Sequence, residues 1–163
     1  MKILSMKTTI FLGAMLSLLV CLMFTGCSNS ETNSTSRGLT DFAHIEEEYL
    51  ATIDSLNWPD GIALPDKLVD EDTGASFQVG YGETRASYLW EYSWMKEWLD
   101  TYNTDPERAE KALEELEKAF DMPYMGIDRC DDATRNYLRE NIDKAKLGDP
   151  SGFTESIRAN YAN

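Results

Sequence analysis

Histidine is almost missing from this chain, His44 being the only one, so zinc sites built on several imidazoles are excluded. Positive charge is scarce as well: 15 Lys and Arg stand against 29 Asp and Glu, for a formal net charge of −14. A surface of that sign repels phosphate backbones and anionic headgroups, which argues against nucleic acid or an anionic lipid surface as partner. It suits cations, basic peptides or simple solubility. Neither a Gly-x-Ser-x-Gly nucleophile context nor a phosphate-cradling glycine loop occurs. Long apolar runs are lacking but for one, Ile10 to Phe24, whose 15 residues fall short of the roughly 20 that span a bilayer.

That one run orders the rest. Lys2 and Lys7 precede it, Phe24-Thr25-Gly26-Cys27 closes it, and the polar stretch Ser28 to Gly38 follows. This pattern resembles the signal peptide and lipobox of bacterial lipoprotein precursors, with Phe24 where that family most often carries leucine. The resemblance covers only about the first 27 residues. It implies that the Cys27 thiol receives diacylglycerol and that cleavage before Cys27 makes it the first residue. An ordinary secretory signal with a chance cysteine and an uncleaved anchor are the alternatives.

On this reading the chain divides into a signal peptide at 1–26, a lipidated cysteine with a flexible tether at 27–38, and one domain at 39–163. The tether, SNSETNSTSRG, holds no large apolar side chain and has too little to bury to offset its ordering entropy. Cys21 goes with the leader and Cys27 with the lipid, so the domain keeps Cys130 alone. No disulfide framework is then possible, and stability falls to an apolar core.

The periodicity of 39–163 predicts a mainly α fold: a small irregular bundle of four to five helices, one long loop and at most one short strand pair. The first helix is expected at about 41–56, with Phe42, Ile45, Tyr49, Ile53 and Leu56 on its inner face. Asn57-Trp58-Pro59-Asp60-Gly61 ends it, and a loop long enough to be functional or wrapped on the core runs to Gly82, with a strand-like alternation at Phe77, Val79 and Tyr81. A second helix at about 84–102 carries two stripes. Tyr88, Tyr92, Met95, Leu99 and Tyr102 form one, and Trp90, Trp94 and Trp98 the other, so two or more neighbours are expected around it. Asp105-Pro106 opens a third helix to about 120, with Ala109, Ala112, Leu113, Leu116 and Phe120 inward. Glu107–Lys111 and Glu114–Lys118 are its expected pairs. Asp131 or Asp132 opens a fourth, carrying Ala133, Tyr137, Leu138, Ile142 and Ala145 and stopping at Gly148, and Asp149-Pro150 a short fifth.

Three groups bear on function. Trp90, Trp94 and Trp98, with Trp58 in the loop, form either core or a ligand face for sugar rings or quaternary ammonium groups. Asp66, Asp70, Glu71 and Asp72 supply oxygen ligands but depart from the EF-hand pattern, with Gly74 and Tyr81 where ligands belong, so a solvated acidic loop is expected and no metal is assigned. Any Cys–His pair reduces to Cys130 with His44, and no catalytic residue or cofactor is assigned.

The expectation is therefore a bacterial lipoprotein held at the cell membrane on its extracytoplasmic side through lipid on Cys27. Its helical domain is non-catalytic and binds a cell-wall component, a cationic ligand or an envelope protein. A small carboxylate-using envelope hydrolase and a calcium-dependent adhesion module are the alternatives. Cys27→Ser is expected to remove the acyl mass and shift the protein out of the membrane fraction. Unchanged mass and fractionation contradict lipidation.

Overall fold

The computed structural model describes residues 38–69 and 71–161, within a compact unit spanning 35–163. Cys27, the leader, the tether up to residue 37 and Asp70 lie outside the described residues. The order is β1 (Leu39–Thr40), α1 (Phe42–Ser55), β2 (Phe77–Gln78), α2 (Tyr81–Thr101), α3 (Pro106–Glu117), two 3₁₀ turns (Lys118–Asp121 and Pro123–Met125), α4 (Asp132–Lys146) and α5 (Ser151–Asn160). Among the described residues the fold is mainly helical, with five helices and one antiparallel pair in which Leu39 faces Gln78 and Thr40 faces Phe77.

The helix starts follow local chemistry. Asp41 Oδ1 accepts from the His44 amide at 3.1 Å, Asp105 Oδ1 from that of Arg108 at 3.2 Å, and Asp131 Oδ1 from that of Thr134 at 2.7 Å. Each relieves an amide that the first turn leaves without an acceptor. Gly148, at φ +79°, closes α4 in the left-handed conformation.

α2 starts differently, because Gly80 at its N-cap has no side chain to offer. The Glu48 carboxylate, from α1, takes that part: Oε1 accepts from the Gly80 amide at 2.7 Å and Oε2 from the Gly82 amide at 3.1 Å. A negative charge at this end also meets the positive pole of the helix. Gly82 makes the contact possible, since a Cβ there would lie 1.8 Å from the Ile45 carbonyl oxygen. The start of α2 is thus laid directly on the backbone of α1.

Farther along, the Trp90 and Trp94 indoles both donate to the Asn57 carbonyl just past the end of α1, at 2.8 and 3.2 Å. The two registrations, Ile45 with Gly82 and Asn57 with Trp90 and Trp94, mean that α1 and α2 run in the same direction. A hairpin cannot join parallel neighbours, so the chain must travel back along α1, about 21 Å for 14 residues. This return accounts for the long loop, which wraps the core. Leu68 is buried against α1, its amide donates to Glu46 Oε1, and Glu71 accepts from the Tyr81 hydroxyl and pairs with Arg85.

α2 contacts α1, α3 and α5, as the two stripes required. The stripes are unequal, however. Trp90, Trp94 and Trp98 are buried at 1, 1 and 2 % exposure, while Tyr88 keeps 41 %. The tryptophans join Met95, Ala112, Leu116, Leu138, Ile142 and Phe153 in the larger cluster, and Ile45, Tyr49, Ile53, Leu68 and Ala86 form a smaller one between α1, α2 and the loop. Trp58 packs against both. On α4, Leu138, Ile142 and Ala145 are buried as expected, but Ala133 and Tyr137 face water and Asn141 lies inside.

Gly82→Ala drives a methyl group into the Ile45 backbone, which no rotamer change relieves. The variant is expected to lose about 3 kcal/mol or more in urea unfolding, whereas Gly74→Ala, with only a side-chain oxygen at 3.4 Å, should stay within about 0.5 kcal/mol. Equal losses at both positions contradict the close approach.

Candidate functional site

Of the two alternatives for Trp90, Trp94 and Trp98, core or ligand face, their burial matches core. A stacking platform needs ring faces open to solvent, and these rings are enclosed by α3, α4 and α5 residues of the main core. Trp58, half-buried, spends its indole N–H on the Ile53 carbonyl at 2.9 Å and seals the seam between the two clusters. The four indoles therefore do not assemble one binding surface. Trp98 borders a concavity.

That concavity is a groove of about 460 Å³ between the end of α2, the outer face of α3 and the end of α4, a size within the usual range of small-ligand sites. Trp98 and Tyr102 contribute from α2 and its cap, Ala109, Glu110, Leu113, Glu114 and Glu117 from α3, and Ala145, Lys146 and Gly148 from the end of α4. The spacing of four from Trp98 to Tyr102 stacks their rings, with centroids 4.7 Å apart and planes 18° from parallel. Phe153 meets Trp98 edge-on at 5.4 Å. The floor is thus aromatic and held from two sides.

The wall is acidic. Lys146 pairs with Glu117, and Lys118 turns to Glu115 at 2.7 Å rather than to Glu114. Lys111 lies over the Trp94 ring, 5.8 Å from its centroid, instead of pairing with Glu107. The two expected α3 pairs are replaced by these contacts because Trp94 offers a desolvated π face and Glu115 is the more buried carboxylate. Among the described residues, Glu110 and Glu114 have no cationic partner on the groove edge.

A second feature escaped the sequence reading. Glu91 on α2 is 7 % exposed, and its Oε2 accepts from the Tyr124 hydroxyl at 2.8 Å. Burial pushes its pKa up to about 7, partly opposed by that hydrogen bond. Tyr124 is in turn raised, first by burial and then by the Glu91 charge. Tyr88 packs edge-on against Tyr124, and the Tyr161 hydroxyl donates to the Tyr88 carbonyl. The signal was present in the spacing: Glu91 sits three residues after Tyr88 and four before Met95, on the apolar stripe. Glu91 does not line the groove.

The remaining candidates are dispersed. His44 Nε2 lies 3.2 Å from Glu48 Oε1, while Cys130 Sγ meets Met125 Sδ and the Asp131 carbonyl, and burial pushes its thiol up. In the acidic stretch, Glu71 is engaged by Tyr81 and Arg85, and Asp72 Oδ1 closes a turn on the Gly74 amide at 2.9 Å. Among the described residues, no group of three or more His, Cys, Asp or Glu side chains is placed to hold a metal ion. Comparison of the chain with known protein families, with curated proteins and with solved structures finds no match.

Glu91 gives a pH signature with a definite sign. Its folded pKa exceeds the ordinary 4.5, so the folded state holds the proton more tightly and favours folding most at low pH. This contribution falls as pH rises from about 4.5 and levels off above about 7, a change on the order of 3 kcal/mol. Glu91→Gln keeps an acceptor for Tyr124 and removes the charge. In denaturant unfolding the variant should gain on wild type between pH 4.5 and pH 7, and a pH-independent difference contradicts the assignment.

Proposed function

We propose that this chain is a lipid-anchored protein of a bacterial envelope whose helical domain is a non-catalytic binding module, with the α2–α3–α4 groove as its ligand site. The observation that carries the reading is the groove itself: a concavity of about 460 Å³ with a stacked aromatic floor and two carboxylates left unpaired at its edge. Binding sites combine apolar lining with a few placed polar groups, and this lining has that composition. The anchor comes from the leader and Cys27. No helix among the described residues is long and apolar enough to cross a membrane. Glu91 has the pKa of a general acid, but it is shut in behind Tyr124 and away from the groove, so a carboxylate hydrolase gains no support from it.

The test is a melting-temperature screen of the purified full chain in detergent against divalent ions, amino sugars, peptidoglycan fragments and quaternary amines. At least one organic ligand is expected to raise the melting temperature by mass action, and Leu113→Trp, which fills the groove, is expected to abolish that rise. A response to divalent ions alone, a rise that survives Leu113→Trp, no response at all, or turnover of a wall fragment overturns the reading.

A further inference from the structure

Two carboxylates are buried in this domain, and they are treated differently. Glu115 is neutralised by Lys118 at 2.7 Å, whereas among the described residues Glu91 has no cation and a single hydrogen bond, from the Tyr124 hydroxyl at 2.8 Å. A neutral carboxyl tolerates such a setting. A carboxylate requires several donors or water, and one phenol does not meet that need.

The groups around Glu91 decide where water can enter. Tyr88 from α2, Tyr124 from the turn after α3, Cys130 from the connector before α4 and Tyr161 from the end of α5 are the titratable groups that interact with it. Burial, and after it the Glu91 charge, raises each of the four above its ordinary value. They stay neutral where Glu91 titrates, at about 7. Arg135, the cation that acts on Cys130, is held by Asp132 and the Met125 carbonyl.

Three of these four neighbours are rooted. Tyr88 lies within α2, Tyr124 belongs to the main core and Cys130 packs against it. Tyr161 is held more lightly: its hydroxyl reaches the Tyr88 carbonyl at 3.3 Å, and its ring leans on Tyr92 with centroids 4.9 Å apart. Arg158, Ala159 and Asn160 before it are exposed, and the buried anchors of α5 are Gly152, Phe153 and Ser156 in its earlier turns. The last turn can leave without disturbing the core.

We propose that Tyr161 is a pH-operated plug over Glu91, seated while that carboxyl is neutral and lifted with the last turn of α5 once it is ionised. Lifting gives up one long hydrogen bond and one ring contact, and it lets water reach the charge. Hydration returns the pKa of Glu91 toward the ordinary 4.5, so ionisation and opening favour each other. The plug is seated in acid and lifted above neutrality.

The experiment is amide hydrogen exchange of the full chain in non-ionic detergent, read by mass spectrometry at about pH 5.5 and about pH 8 and corrected for the intrinsic pH dependence of exchange. Protection in the last turn of α5, where the Tyr161 amide donates to the Ile157 carbonyl, is expected to fall about tenfold or more at the higher pH while that of α3 holds. Glu91→Gln should keep the last turn protected at both values. Tyr161→Ala, which opens Glu91 to water, should shrink the wild-type change in unfolding stability between pH 4.5 and pH 7. Equal wild-type protection at the two pH values overturns the plug, as does a fall that persists in Glu91→Gln. A fall shared evenly by α5 and α3 is a general loosening and also overturns it. So does a Tyr161→Ala variant whose stability keeps the full pH dependence.

Discussion

One carboxylate fixes how the first two helices of this domain meet. Glu48 receives the amides of Gly80 and Gly82, so the start of α2 is completed by a residue 32 positions earlier in sequence. The arrangement works only because Gly82 lets two backbones touch and because Gly80, at φ +85°, turns the chain into the helix without a Cβ. Arg129 closes over the same point, donating to the Gly80 carbonyl and pairing with Glu83. α1, α2 and the connector before α4 are therefore fixed to one another around a single helix terminus. The direction of α2, and with it the line of tryptophans, follows from that joint.

The tryptophan line then organises everything downstream. Trp90 and Trp94 share the Asn57 carbonyl, so the polar edges of two large rings are satisfied at one backbone oxygen while their surfaces remain available for packing. α3, α4 and α5 fold against those surfaces. Removing such a ring from a core typically costs about 3–5 kcal/mol, which sets these residues among the structural ones. At the last of the three, where α2 ends and α3 turns away, the packing parts to leave the groove.

Much of the architecture was legible because it rests on local rules. The Asp caps at Asp41, Asp105 and Asp131, the prolines after Asp105 and Asp149, and the stop at Gly148 are short-range signals, and the helix boundaries drawn from them agree with the structure to within a few residues. α2 begins about three residues earlier than its pattern suggested, since its cap comes from Glu48 and no local residue announces it. The tryptophans were legible as a stripe, with core and ligand face as the alternatives, and spacing did not decide between them because it gives the face of a helix and not what covers it. The groove was illegible for the same reason: Trp98, Glu110 and Lys146 lie on three helices, and nothing in their order brings them together. Glu114 illustrates the limit well, since an i,i+4 lysine was present and chose Glu115. Cys27, which carries the proposed attachment, is a matter of sequence alone.

The parallel course of α1 and α2 also has a consequence for how the domain folds. In an up-down bundle each helix meets its successor through a short link, whereas here α1 acquires its main partner only after a connection from Leu56 to Gly80 has closed. Such closure is entropically unfavourable before any contact rewards it, and topologies rich in distant pairings fold more slowly than hairpin-linked ones. The α2–α3 and α4–α5 neighbours, joined by a few residues each, can form early and independently. Docking of the first helix onto Gly82 is the pairing that carries this closure cost.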